Sequence, residues 1–184
     1  VRNLGIALVA RGHDVAVATL ADAGLPSYEE DSGIRVYRLR GTLQRSERIF
    51  HDRPYSPPVP DPDLVRAIRD VVRREQPTIV HSHSWMGRSF LPLKRWSKAK
   101  LVVTLHEFSH RCATWNLMRD GELCSGPGPV KCVKCAGQHY GSPAKGAAVA
   151  YGNFAMLAPE RALVDMYIPC LLYTSPSPRD RTRS

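Results

Sequence analysis

The hydrophobic positions of the chain switch repeatedly between helical and strand spacing. Residues 1–13 have helical spacing, with Leu4, Ala7 and Leu8 forming one apolar stripe and Gly12 standing where a helix ends. No capping residue precedes this segment, so we expect the native chain to begin before Val1. The pattern therefore predicts an amphipathic helix that is followed directly by a turn.

Four short apolar runs predict strands. Residues 14–20 are rich in β-branched side chains and predict a strand buried on both faces of a parallel sheet. Residues 33–40 alternate apolar and basic side chains, which is typical of a half-exposed edge strand with a solvated basic face. Residues 78–81 and 100–106 predict two further buried strands, and each ends on a histidine.

Helices are predicted between these strands. Residues 63–75 predict a helix capped by Asp61 or Asp63, and residues 87–96 predict a second one. Residues 41–62 contain five prolines and predict a long loop. The order α, β, β, α, β, α, β argues for an α/β fold with a doubly wound, mostly parallel sheet. In the helix at 63–75 we expect Leu64, Ile68, Val71 and Val72 to face the core, and Arg66, Arg69, Arg73 and Arg74 to face solvent.

The composition is that of one globular domain, since the chain has 184 residues, of which 43% are hydrophobic and 23% are charged. No apolar run reaches about 18 residues, and the first residues lack the order of a signal peptide, so we expect a soluble, cytoplasmic protein. The net charge of +9 favours an anionic partner or an anionic membrane surface. The basic residues are scattered, without a block of five, which argues against nucleic acid as a partner.

The last residues have the composition of a tail. Residues 170–184 are rich in Pro, Ser, Thr and Arg and show neither helical nor strand spacing. Residues 170–180 also resemble the translation of a sequencing adapter, so we expect a disordered, non-native tail from about residue 170 on. Leaving out its three Arg and one Asp lowers the net charge from +9 to +7. The domain is then expected to span residues 1–169 and to be truncated at both ends.

Candidate site residues follow the predicted strands. Ligands of open α/β sheets bind beyond the carboxyl ends of the strands, where His81, His83, His106 and Glu107 stand. A histidine there could act as a base, an acid or a hydrogen-bond donor to a phosphate or hydroxyl. It could also only cap the loop backbone. Both readings stay open for His81, whereas we expect a functional role for His106.

Four cysteines form a second candidate site, within an insert at about residues 110–140. Cys132 and Cys135 have the Cys-x2-Cys spacing that suits a tetrahedral zinc ion, and Cys112 and Cys124 would complete the ligands. The latter two are farther apart than in a usual zinc knuckle, so one of the nearby histidines, at 110 and 139, could substitute. Structural zinc, unpaired thiols and disulfides all stay open, although a reducing cytosol disfavours disulfides. A catalytic thiol is not expected, because nothing in the sequence assigns a base to any of the four.

Three segments together resemble a known family. They read Leu-Val-Ala-Arg-Gly-His-Asp-Val-Ala-Val at 8–17, Gln-Pro-Thr-Ile-Val-His-Ser-His at 76–83 and Leu-Val-Val-Thr-Leu-His-Glu at 101–107. They resemble the N-terminal domain of GT-B glycosyltransferases of family 4, and the resemblance runs from residue 1 to about residue 169. The cysteine insert is similar to that of a bacterial subgroup of this family, and residues 162–169 resemble its late strand.

The resemblance implies a fold, a reaction and roles for the site residues. The chain would be the Rossmann-like, acceptor-binding half of a hexosyltransferase that uses a nucleotide-sugar donor and retains the configuration of the sugar. The donor would be bound mainly by a second, C-terminal domain, so this chain alone would be inactive. His106 would contact the sugar or the acceptor near the reacting bond, with Glu107 as the acidic residue beside it. His81, His83 and Ser84 would bind substrate.

The resemblance implies a role such as polysaccharide biosynthesis. The identity of the acceptor stays open among a glycan, a lipid-linked carrier and a small metabolite. A lipid acceptor would bring a cytoplasmic enzyme into peripheral contact with the inner membrane face. The alternative function is a zinc-stabilised module that binds nucleic acid or a protein partner, although small zinc modules rarely carry four buried strands. Another Rossmann enzyme, such as a nucleotide-sugar epimerase, would show Gly-x-Gly-x-x-Gly after a first strand, a segment that would precede residue 1.

Overall fold

The computed structural model describes residues 1–45 and 56–170. The middle of the predicted loop at 41–62 and the predicted tail beyond residue 170 lie outside the described residues. The chain divides into two compact units, Val1–Leu101 and Val102–Ser184.

Helices and strands alternate along the first unit. They are α1 at Arg2–Val9, β1 at Val15–Leu20, β2 at Tyr28–Asp31, β3 at Ile34–Leu39, α2 at Pro62–Glu75, β4 at Ile79–Ser82 and the first residues of β5 at Lys100–Leu105. Short 3₁₀ helices lie at Leu43–Arg45 and Trp85–Leu93. The strands predicted at 14–20, 33–40, 78–81 and 100–106 are therefore confirmed as β1, β3, β4 and β5.

The sheet of the first unit differs from the prediction at its edge. Its strand order is β1-β3-β2, so that β3 lies in the centre, parallel to β1 and antiparallel to β2. The prediction that β3 is an edge strand is wrong, because β2 covers its outer edge. The residues of β1 mostly alternate between half-buried and exposed, so the prediction of burial on both faces is also wrong.

The first helix is confirmed, but it turns another face to the sheet. Gly5 is its buried residue, and a Cβ at this position would lie 2.7 Å from Cδ1 of Ile34, so a larger side chain here would require Ile34 to move. Leu4 is 43% exposed, so the predicted apolar stripe is wrong at this residue. Gly12 has a φ of 82°, a left-handed conformation that glycine adopts without steric cost, and the predicted turn lies there.

The basic side chains of β3 form ion pairs, so the prediction of a solvated basic face is wrong. Nη2 of Arg35 donates to Oε2 of Glu75 at 2.7 Å, and the hydroxyl of Tyr37 donates to the same carboxylate. Hydrogen bonds from Arg35 lower the pKa of Glu75, although burial opposes the shift. Arg38 pairs with Glu29 of β2. These contacts tie β3 to α2 on one side and to β2 on the other.

The predicted cap of α2 is confirmed, and its predicted core face is confirmed at Leu64 and Ile68, whereas Val71 and Val72 are only half-buried. The Asp61 carboxylate accepts hydrogen bonds from the backbone N–H of Asp63 and Leu64, at 2.9 and 3.1 Å, and from the backbone and hydroxyl of Thr42. Burial by itself would raise the pKa of Asp61, but these hydrogen bonds outweigh it and hold the pKa below its usual value. Leu64 and Ile68 are buried, and the exposed residues of the helix include Arg66, Arg69, Arg73 and Arg74.

The helix predicted at 87–96 is instead the 3₁₀ helix Trp85–Leu93. Pro92 lies inside it and cannot donate the backbone hydrogen bond that a continuing α-helix needs. Arg88 is fully buried and donates to the carbonyl of Pro58 at 2.6 Å. Trp96, which the prediction placed in the helix, lies beyond its end and is 84% exposed.

Up to residue 170, the second unit holds the rest of β5, a short hairpin, three α-helices and a last strand. The elements are β6 at Met118–Arg119, β7 at Glu122–Leu123, α3 at Pro129–His139, α4 at Pro143–Ala155, α5 at Leu157–Leu163 and β8 at Met166–Pro169. β8 pairs with β5 in parallel, from Val102 opposite Met166 to Leu105 opposite Pro169. Since β1 and β3 are parallel as well, the predicted α/β fold with mostly parallel strands is confirmed.

Two glycines allow α3 and α4 to pack against each other at close range. A Cβ added to Gly146 of α4 would lie 2.5 Å from the Cα of Gly137 in α3. The helices therefore meet backbone to backbone. Ala136, Val149 and Ala150 of the same two helices are buried.

The described helices are short. The longest of them, α2, has 14 residues. None of the helices in residues 1–45 and 56–170 is both long enough and apolar enough to cross a bilayer.

Candidate functional site

The carboxyl ends of two parallel strands meet at one edge of the second unit. Leu105 ends β5 opposite Pro169, which ends β8, and the backbone N–H of Cys170 donates to the carbonyl of Leu105 at 3.0 Å. His106 and Glu107 follow Leu105 directly, and both residues are exposed. The residues predicted to be catalytic therefore lie just beyond a strand end, where open sheets bind their ligands.

The loop that carries His106 and Glu107 continues into a 3₁₀ helix at Phe108–His110. The backbone N–H of Phe108 donates to the carbonyl of Trp115 at 2.9 Å, which closes the loop on itself. Glu107 is the N-cap of this short helix, but among the described residues its side chain makes no capping hydrogen bond. The Glu107 carboxylate is therefore not used to hold the helix.

Two buried polar side chains hold this loop from behind. Nδ2 of Asn153 in α4 donates to the carbonyl of Ser109 at 3.0 Å, and Oε1 of Glu160 in α5 lies 3.0 Å from Nδ1 of His110. His110, a candidate metal ligand in the sequence, thus pairs with a carboxylate. Asn153 and Glu160 were not predicted from the sequence. The only signal for them was a polar residue among the small and apolar residues of a helix.

The residues predicted to bind substrate lie in the first unit. The rings of His81 and His83 lie side by side, with centroids 4.2 Å apart and planes 36° from parallel. Both residues are half-buried, and Ser84 is exposed. β4 ends at Ser82, one residue later than predicted, and the buried Ser82 hydroxyl donates to the carbonyl of Ser84 at 3.0 Å. The structure therefore brings the two histidines together at the end of β4.

All four cysteines of the insert line one pocket. Each is a half-buried free thiol. Their sulfurs contact neighbouring polar groups: Sγ of Cys112 lies 3.3 Å from Oγ1 of Thr114, and Sγ of Cys132 accepts the backbone N–H of Gly128 at 3.3 Å. The pocket wall consists of Cys112, Ala113, Thr114, Met118, Arg119, Cys124, Lys131, Cys132 and Cys135. The set that the sequence singled out is therefore gathered in one place.

The thiols do not form a closed metal site as they stand. In the described part of the chain, no group of three or more His, Cys, Asp or Glu side chains is arranged to hold a metal ion. The thiol of Cys124 instead donates to the carbonyl of Gly126 at 3.5 Å. His139, the other candidate ligand, packs edge-on against the rings of Trp115 and Tyr140. Zinc binding stays a prediction.

The family described as "Glycosyl transferase 4-like domain" matches residues 1–166. No curated protein matches the chain. The matched residues include His81 and His83 at the end of β4, the loop of His106 and Glu107, and the whole cysteine insert.

Proposed function

We propose that this chain, which belongs to the glycosyl transferase 4-like domain family, binds the acceptor in a hexosyltransferase that retains the configuration of the transferred sugar. Membership in the family accounts for glycosyl transfer itself. One observation carries the finer proposal: His106 and Glu107 are exposed directly beyond the carboxyl end of β5, at the edge where β5 and β8 both end. A ligand at this edge would meet both side chains.

His106 is the group that we assign to the reacting bond. Near neutral pH an imidazole both donates and accepts hydrogen bonds, so it suits a sugar hydroxyl or the acceptor oxygen. In the transfer, the bond between the anomeric carbon and the donor phosphate oxygen breaks and a bond to the acceptor oxygen forms. The nucleoside diphosphate leaves, and its phosphate oxygen takes up the proton that the acceptor hydroxyl loses. Glu107 supplies a carboxylate beside this position, which suits the hydroxyl groups of a bound sugar.

His81, His83 and Ser84 are the residues that we assign to substrate binding in the first unit. Two imidazole rings side by side and a neighbouring serine offer several hydrogen-bond donors, which suit hydroxyl groups or a phosphate. The nucleotide-sugar donor would be held mainly by a second, C-terminal domain, as in other GT-B enzymes. We therefore expect residues 1–169 alone to be inactive in transfer.

The charge of the chain bears on the acceptor. The net charge of +7 that remains without the tail and the exposed arginines of α2 favour an acceptor with acidic groups over a neutral one. A glycan, a lipid-linked carrier and a small metabolite all meet this condition when they carry phosphate or carboxylate groups. We place the enzyme in the cytoplasm, and a lipid-linked carrier would add peripheral contact with the inner membrane face.

The test uses the intact protein that carries this chain. The purified protein is incubated with a panel of nucleotide sugars and with glycan, lipid-linked and small-molecule acceptors. Mass spectrometry detects the glycosylated product, and NMR gives the configuration of its anomeric carbon. We expect transfer with retention. Inversion would contradict the retaining assignment, and transfer by residues 1–169 alone would contradict the assignment of this chain to the acceptor side.

A further inference from the structure

We propose that Cys112, Cys124, Cys132 and Cys135 bind one structural Zn²⁺ ion as thiolates. They come from three separate segments: the loop after the 3₁₀ helix Phe108–His110, the end of the β6–β7 hairpin and α3. All four nevertheless line the same pocket. A shared pocket is the geometric condition that cysteine spacing alone cannot supply.

α3 presents two of the ligands in a favourable arrangement. Cys132 and Cys135 are three residues apart on this helix, so their side chains share one face. Cys132 lies at the end of the first turn of α3, where the helix dipole favours an anionic thiolate over a neutral thiol. The backbone N–H of Gly128 already points at Sγ of Cys132, and such a donor stabilises a metal-bound thiolate.

The charges of the pocket fit a zinc tetrathiolate. Each cysteine releases its proton on binding, so four thiols and one Zn²⁺ give a complex with a charge of about −2 and release about four protons. Arg119 and Lys131 line the same pocket and carry the two positive charges that offset this complex. The ammonium group of Lys131 donates to Oγ of Ser125 at 3.0 Å, close to Cys124 in the chain.

The four sulfurs must move closer to one another to bind the ion. Few packing contacts resist this movement. The segment between Cys112 and Cys124 contains β6 and β7, which have two residues each, and all four of these residues are exposed. Hardly any packing would be lost if this hairpin shifted. The hydrogen bond that the Cys124 thiol donates to Gly126 ends when the thiol is deprotonated.

A bound ion would also steady the loop of the candidate catalytic residues. The backbone N–H of Cys112 donates to the carbonyl of Phe108 at 2.7 Å, one residue beyond Glu107. Fixing Cys112 therefore fixes the 3₁₀ helix that begins there. This consequence rests on the proposed function, whereas the metal site does not.

The experiment measures zinc in the full-length protein purified under reducing conditions. We expect one zinc per chain by mass spectrometry of the metal, and intense visible absorption after replacement by Co²⁺, the signature of tetrahedral thiolate ligands. The double variant Cys132→Ser and Cys135→Ser should lose both signals. Lys134→Ser is the matched control, because Lys134 is exposed on α3 between the two cysteines and is not part of the pocket wall, so its loss should change neither signal.

Three results would overturn the proposal. They are the absence of zinc from the unmutated protein, full zinc in the double variant, and a mass lower by two hydrogens per cysteine pair, which would show disulfides. Should the double variant be insoluble, a chelator is added to the unmutated protein: we expect release of zinc and faster proteolysis between residues 112 and 135. Unchanged proteolysis after the loss of zinc would refute its structural role. None of these readouts depends on glycosyl transfer, so the two proposals fail separately.

Discussion

Oε1 of Glu160 lies 3.0 Å from Nδ1 of His110, and little of either side chain reaches solvent. The contact joins α5 to the 3₁₀ helix that follows His106 and Glu107. The loop of the candidate catalytic residues is thus held at its far end by a buried polar pair. Such a pair costs free energy when only one of its partners is removed, because the other is left buried without it.

We expect Glu160→Ala to lower the free energy of unfolding by about 2 kcal/mol, since it removes a buried carboxylate and leaves the half-buried His110 without this contact. Urea unfolding followed by circular dichroism measures the change. Glu122→Ala, at an exposed position of β7, is the control and should stay within about 0.5 kcal/mol of the unmutated protein. Equal effects of the two substitutions would show that the pair does not stabilise the fold.

Asp61 should make the stability depend on pH in the acid range. Its pKa in the folded chain lies below the ordinary value of 3.8, so ionised Asp61 favours the folded state. This contribution is complete above the ordinary value and is lost as the pH falls through the lower pKa of the folded state. We expect the free energy of unfolding to fall less steeply below about pH 4 in Asp61→Asn, whose amide does not ionise.

The measurement for Asp61 is a series of urea unfolding curves between pH 2 and pH 7. Asp70→Asn is the matched control, because Asp70 is exposed on the same helix. This variant should keep the steep acid fall of the unmutated protein. An identical pH profile for Asp61→Asn would mean that the cap does not gain stability from ionisation.

Gly146→Ala should disrupt the contact between α3 and α4. The added Cβ would meet backbone atoms of Gly137, which cannot turn away as a side chain can, so the helices must separate. We expect a loss of about 2 kcal/mol in the free energy of unfolding, measured by urea unfolding. Ala148→Ser changes an exposed position of the same helix and should cost less than about 0.5 kcal/mol. A neutral Gly146→Ala would contradict the close packing.

His106→Ala should lower kcat of the intact enzyme by about 100-fold, the usual scale for one positioned catalytic group. His13→Ala is the control, because His13 is an exposed histidine in the turn before β1, far along the chain from the candidate site. The control should leave kcat unchanged. If the His106→Ala enzyme had normal kcat and normal KM, His106 would have no role in transfer and would only cap the loop backbone.

The elements that the sequence predicted well are those in which local pattern and final burial agree. In α2, the apolar spacing put Leu64 and Ile68 in the core and Asp61 at the cap, and all three lie there. The periodicity and the cap of such a helix are both encoded locally, so local preferences and tertiary contacts favour the same structure.

The sheet of the first unit shows where local pattern is not enough. β2 contains Glu29 and Glu30, which have low strand propensity, and it becomes a strand because it pairs with β3. The ion pair between Arg38 and Glu29 supports this pairing. An alternating pattern identifies a strand. Its position in the sheet, however, depends on which other strands pair with it, and the pattern does not contain that information.

The candidate site also contains residues that the sequence predicted and residues that it did not. His106 and Glu107 were found from the sequence, because they follow an apolar run and strand ends are where such folds bind ligands. Their supports were not found. Asn153 and Glu160 contact residues that are 44 and 50 positions away in the chain, and such distances have no local signature.

The glycine contact between α3 and α4 has a mechanical consequence. Helices that meet through side chains accommodate small displacements by changing rotamers, whereas two backbones in direct contact have no side chains that can adjust in this way. α3 carries Cys132 and Cys135, and α4 holds the carbonyl of Ser109 through Asn153. A displacement of the thiols would therefore be transmitted from α3 to α4 through contacting main-chain atoms, and from α4 to the loop of His106 through one hydrogen bond.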